Sequence, residues 1–170
     1  MKADSSLLVD EYRTWHTPVI GAYLLYLFTQ AYKGSHPEGR DPIVILHFIA
    51  AAILTDDALA DKLKRKTSLV QYVRHARNGD TSLHFMKLHE RTRSRFSYTA
   101  RAIDIAVAGG YLKWDVDSAS LTACKLSSRP GSGDFRTGRI KELGERAKLL
   151  GRIMARTTLP KAAELLGVSL

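Results

Sequence analysis

A chain of 170 residues has room for one well-cored domain with an arm, or two small domains, and excludes a large multidomain enzyme. Its 45% apolar and 25% charged residues exclude disordered, collagen-like and membrane-embedded classes; its single cysteine, Cys124, excludes an intramolecular disulfide or a multi-thiolate metal site built from this chain alone, so a reducing, cytoplasmic location is expected. The net charge of +9 is uneven, with 4 Lys/Arg against 8 Asp/Glu in residues 1–61 and 22 against 9 in residues 62–170, so the C-terminal two thirds is expected to face an acidic partner, whether nucleic acid or a carboxylate-rich protein surface.

Met1-Lys2-Ala3-Asp4 leads into polar and acidic residues rather than an apolar stretch, and no secretory signal is expected. The apolar runs 19–28 and 43–54 fall well short of the roughly 20 residues that span a bilayer, and His47 interrupts the second. Both read as buried core helices, and no membrane contact is expected. Thr17 is the candidate N-cap of the first, with Pro18 at its first position, and Asp41-Pro42 repeats that grammar before the second. Between them, residues 34–40 have the composition of a surface loop.

Thr55-Asp56-Asp57 opens a shorter helix that is acidic in its first turn and basic in its last, at Lys62, Lys64, Arg65 and Lys66, as a helix dipole favours. Thr67 or Ser68 caps the next segment, 69–77, which Asn78-Gly79 ends. Residues 81–108 contain neither proline nor glycine, and the spacing predicts a single long helix. Phe85, Leu88, Phe96, Ala100, Ile103 and Val107 form its apolar side. Lys87, Arg91, Arg95, Tyr98 and Arg101 form a basic stripe opposite.

Gly109-Gly110 stops that helix, and residues 111–116 and 121–126 read as a hairpin across 117–120. Helix, glycine turn and hairpin is the order of a winged helix. Residues 127–133 are the one clear linker, and beyond it lies a helical arm, 134–170, in which Ile140, Leu143, Ala147, Leu150 and Met154 recur at helical spacing and Pro160 starts a last helix closed by Gly167. So small an amphipathic pair cannot form its own core and must dock on something. The expected fold is α+β, mainly α: a winged-helix-like body over 1–126 with a small β-hairpin, then the linker and the C-terminal helical arm.

No site chemistry stands out. The loop Gly131-Ser132-Gly133 lacks the lysine that grips nucleotide phosphates, and Gly109-Gly110 follows a helix and precedes a strand, the reverse of a dinucleotide fingerprint. His84 and His89, five apart, stand about 140° around a helix and cannot share a metal, and Arg93 occupies the place where a zincin would carry its second histidine. His47 reads as a satisfied core histidine. Asp56, Asp57 and Asp61 are accounted for by helix capping and an Asp61–Arg65 pair. No cofactor and no catalysis are expected. For the basic stripe three readings remain open: contact with nucleic acid, contact with an acidic protein partner, or a solvated helix face. Asp115 and Asp117 at the hairpin tip weigh against the first, because a DNA-reading wing is usually basic there.

The chain resembles a known family, the middle components of prokaryotic three-component ABC-ATPase systems, which include the small subunit of Lamassu-type anti-phage defence complexes. The residues that carry the resemblance are Trp15 and Pro18 with the aromatic helix through Tyr32, Pro42 with the run 43–54, Arg91 and Arg101 leading to Gly110-Tyr111-Leu112, and the tail. In the tail, Arg146-Ala147-Lys148-Leu149-Leu150-Gly151-Arg152, Leu159-Pro160 and Leu165-Leu166-Gly167-Val168 are similar to the family's closing pattern. At Ala50-Ala51-Ala52-Ile53-Leu54-Thr55 the chain departs from the Leu-Pro and His common there.

The resemblance implies a non-enzymatic adaptor that binds an SMC-like ABC ATPase and a third component carrying an effector domain such as a nuclease, with double-stranded DNA held through the complex. On that reading Leu149, Leu150, Ile153, Leu165 and Leu166 of the arm are the expected docking residues, since apolar side chains seated in pockets dominate such interfaces. The rival is a stand-alone winged-helix DNA-binding regulator, supported by the charge of residues 62–170 and the stripe from Lys87 to Arg101. A small hydrolase is disfavoured, because no nucleophile and base stand at motif spacing.

Overall fold

A computed structural model describes residues 17–64, 68–126 and 138–168. Thr17 Oγ1 accepts the Ile20 N–H at 3.4 Å and Pro18 takes the first helical position, so α1 (Pro18–Ser35) starts where the cap grammar placed it. Leu24, Leu25, Tyr26, Phe28 and Thr29 are all buried, on more than one face, and a helix apolar on several sides has to lie at the centre of a protein. α2 (Val44–Leu54) is buried in the same way.

Asp41 does not cap α2, whose N-cap is Ile43 without a side-chain bond. The Asp41 carboxylate is committed elsewhere: its Oδ2 accepts from Lys33 Nζ and from Thr122 Oγ1, both at 2.9 Å. The reason lies in the hairpin, β1 (Leu112–Asp115) and β2 (Ser120–Ala123), which pair antiparallel with Leu112 opposite Ala123 and Asp115 opposite Ser120. A lone hairpin leaves an edge of unpaired backbone groups. Here residues 42–44 cover the β2 edge, since Leu121 N donates to Pro42 O at 3.1 Å and Val44 N to Ala119 O at 2.8 Å.

α3 (Asp57–Ala60) is capped by the Asp56 side chain but is a single turn, so Lys62 and Lys64 lie beyond it rather than in its last turn. Arg65, expected to pair with Asp61, lies outside the described residues. α4 (Leu69–Arg77) has a full capping box between Ser68 and Gln71, and Gly79 then adopts a positive φ of 73°.

The predicted long helix is three: α5 (Ser82–Met86), α6 (Leu88–Ser94) and α7 (Phe96–Ala108). The breaks fall at Lys87 and Arg95, where ψ opens to 7° at both residues while hydrogen bonds of helical spacing run on across them. A threonine back-bond flanks each break, Thr92 Oγ1 donating to Leu88 O at 2.9 Å and Thr99 Oγ1 to Arg95 O at 3.0 Å, a contact that often curves helices. The bends also change which residues are buried. Phe85, Leu88, Thr92, Thr99, Ala102, Ile103 and Ala106 line the core, whereas Phe96, expected there, is 60% exposed.

α8 (Arg139–Met154) and α9 (Leu159–Leu166) form the C-terminal segment, with Gly167 closing α9 at φ 66°. α8 packs on α1 along its length. Gly144 faces Leu27 and Tyr23, and Gly151 sits so close that a Cβ there would collide with the Phe28 carbonyl oxygen and come within 3.0 Å of Tyr32 N. Leu143, Ala147, Leu150 and Met154 thereby join Leu24 and Phe28 in one continuous core. The segment read as an arm docks on its own chain. The expected linker, 127–133, lies outside the described residues. Among the described residues no helix is long and apolar enough to cross a membrane.

Candidate interaction surface

The bend at Lys87 sets the fate of the basic stripe. Arg91 turns inward, placing Nη2 2.7 Å from Asp56 Oδ2 and donating from Nη1 to His84 O at 3.3 Å. Asp56 is 7% exposed and also receives Leu59 N at 3.1 Å and His84 Nδ1 at 2.9 Å. A buried carboxylate needs such partners, and Arg91 supplies the compensating charge. Tyr98 also points inward, donating to Thr17 O at 3.2 Å above the bare Cα of Gly21, and burial pushes its pKa up to about 12. Arg95 lies over the Tyr98 ring, 5.8 Å from its centre. Lys87 and Arg101 are exposed and have no ion-pair partner among the described residues. The five residues therefore do not form one continuous basic track: three hold the fold together and two face solvent.

The five residues expected to dock a partner also divide. Leu150, Ile153 and Leu166 are buried in this chain's own core, while Leu149 and Leu165 are half-buried. Those two line a groove of about 990 Å³ between the start of α4, the end of α8, and α9. Ile153 and the exposed Val70 add to its apolar surface, and Lys64, Arg152, Arg156 and Lys161 stand around it.

Arg139 secures the other end of α8. Its guanidinium reaches Asp57 at 2.5 Å, Asp61 at 3.0 Å and Glu142 at 3.0 Å, tying α8 to α3. Its hydrogen bond to Glu142 leads the causes that hold that carboxyl below the usual range. Arg146 adds a bond to the Leu63 carbonyl.

A second groove, of about 550 Å³, is aromatic. Phe96 stacks on Phe48 with ring centres 4.8 Å apart, and Trp114 of β1 closes one side. His89 Nδ1 is buried there without a hydrogen-bond partner among the described residues. A third cleft, of about 1020 Å³, opens where Tyr23, Tyr26 and Gln30 of α1 face Cys124 and Lys141.

The family model of the ABC-three component (ABC-3C) system Middle Component 3 matches residues 5–170. The chain belongs to this family. No curated protein and no solved structure is found to match it. The middle component thus carries its family identity across nearly the whole chain, including the α8 and α9 segment whose Leu-Gly pattern supported the resemblance. Two features escaped the sequence. The Phe48–Phe96 stack was hidden because an unbroken helical phase put Phe96 in the core. The α1–α8 contact did leave a signal, since two glycines seven apart inside a helix weaken it unless a close approach requires them.

Proposed function

We propose that this middle component is a non-catalytic adaptor that bridges an SMC-like ABC ATPase and an effector subunit of nuclease type, within an anti-phage or anti-plasmid defence complex of Lamassu-like character in the cytoplasm. The observation that carries this reading is the match to the Middle Component 3 family over residues 5–170. The geometry supports it as well: the ionisable groups brought together at Asp56, His84 and Arg91 spend their bonds on one another and on the backbone, while grooves remain open on the surface. Contact with double-stranded DNA would come through the complex, with the exposed Lys87 and Arg101 as this chain's contribution.

Co-expression with the ATPase and the third component of its system, followed by affinity purification and size-exclusion chromatography with and without DNA, tests the proposal. The middle component is expected to co-elute with the ATPase when DNA is absent. A lone chain that shifts only when DNA is added would favour a DNA-binding regulator instead, and the salt dependence of that shift would count the phosphates contacted.

A further inference from the structure

The groove between α4, α8 and α9 has a composition that points to the kind of segment it receives. Its floor is apolar, with Leu149 and Leu165 half-buried, Ile153 beneath them and Val70 49% exposed at the edge. Its rim is cationic. Among the described residues, Lys64, Arg152 and Arg156 have no ion-pair partner and no carboxylate lines the groove, whereas Lys161 is held by Glu164 at 3.0 Å. Several acids elsewhere are neutralised within the chain, as at Asp56, Asp57, Asp61 and Glu142. At Lys64, Arg152 and Arg156 no such pairing is found among the described residues.

We infer that this groove is the docking site for an acidic amphipathic helix of another component of the system, an inference that rests on the adaptor reading and specifies its contact. A helix laid between α4 and α9 would place an apolar stripe on Leu149 and Leu165 and its carboxylates against Lys64, Arg152 and Arg156. Duplex DNA fits the site less well. Its phosphates would meet the rim, but nothing in a sugar-phosphate backbone would cover the leucine and isoleucine floor.

The test uses the full chain co-expressed with the other two components. Arg152→Glu with Arg156→Glu reverses the rim at two exposed positions, and Lys113→Glu with Lys125→Glu, exposed on and beside the hairpin, serves as a matched charge control away from the groove. The rim variant is expected to bind its partner at least tenfold more weakly at an unchanged melting temperature, with the control unaffected. A photo-crosslinking residue replacing Leu149 is expected to label a partner segment that has apolar residues three and four apart and an excess of Asp and Glu. If the wild-type chain forms no complex at all, the adaptor reading falls and this inference with it. If the complex forms and the rim variant binds as tightly as wild type, the groove inference alone is overturned. Crosslinks to a basic or neutral partner segment, to DNA, or to another part of this chain overturn it too.

Discussion

His47 lies wholly inside the protein between α1 and α2, its Nε2 2.8 Å from Thr29 Oγ1 and its Nδ1 3.3 Å from Ile43 O. A neutral ring that donates Nδ1–H to the Ile43 carbonyl leaves Nε2 as an acceptor, which competes with Leu25 O, 2.8 Å away, for the single Thr29 hydroxyl proton. Burial pushes its pKa down to about 4. In the unfolded chain a histidine titrates near 6.5, so between those two values the unfolded state binds a proton that the folded state refuses, and stability rises with pH across that window. His47 is expected to remove about 3 kcal/mol of stability between pH 7 and pH 4. Urea denaturation at the two pH values checks this, and His47→Leu should shrink the difference. At Gly151 the neighbours of a new Cβ are backbone atoms of α1, which cannot move aside; at Gly144 the tightest is the tip of Leu27, 3.1 Å away, which can. Gly151→Ala is therefore expected to cost roughly 1–3 kcal/mol as overpacking, and Gly144→Ala much less, in thermal melts of the two variants.

At the scale of elements, the helices with explicit chemical punctuation were legible before the structure: Thr17-Pro18 for α1, Ser68 for α4, the glycines after α4, α7 and α9, and the hairpin beyond Gly109-Gly110. Elements shaped by tertiary commitments were not. Asp41 looks like a cap but serves the hairpin, and the breaks at Lys87 and Arg95, each flanked by a threonine back-bond, leave no mark in the periodicity. The candidate site shared that fate. Helical phase put Arg91 and Tyr98 on an outer face, while the bends and the need to pair Asp56 draw them inward. The same logic separates adjacent residues of α8. Leu150→Asp is expected to unfold the chain, since it buries a charge without a partner, whereas Leu149→Asp should leave circular dichroism and the melting temperature close to wild type. Loss of partner binding in a Leu150 variant would consequently say nothing about an interface.

At the scale of the whole molecule, α8 completes the core that α1 begins, and the division into body and arm that composition suggested gives way to one shared interior. A chain ending at residue 126 leaves Leu24, Leu27 and Phe28 without their cover from α8. It is expected to be recovered as aggregate or as an unfolded monomer, judged by size-exclusion chromatography and far-UV circular dichroism beside the full chain. Charge obeys the same whole-molecule arrangement. The acidic Asp57 and Asp61 of the N-terminal third are matched by Arg139, which leaves the positive excess of the later residues concentrated on surfaces such as the Lys64, Arg152 and Arg156 rim.

The embrace of α1 by α8 sets an order of events in synthesis. About a hundred residues separate the end of α1 from the start of α8, so at elongation rates of about 5–20 residues/s the first helix is made roughly 5–20 s before the helix that covers it. During that interval the nascent chain presents a strip of leucine and phenylalanine to its surroundings, and α8 is the element that later covers it. A message interrupted before α8 would yield a chain in which that strip is still bare.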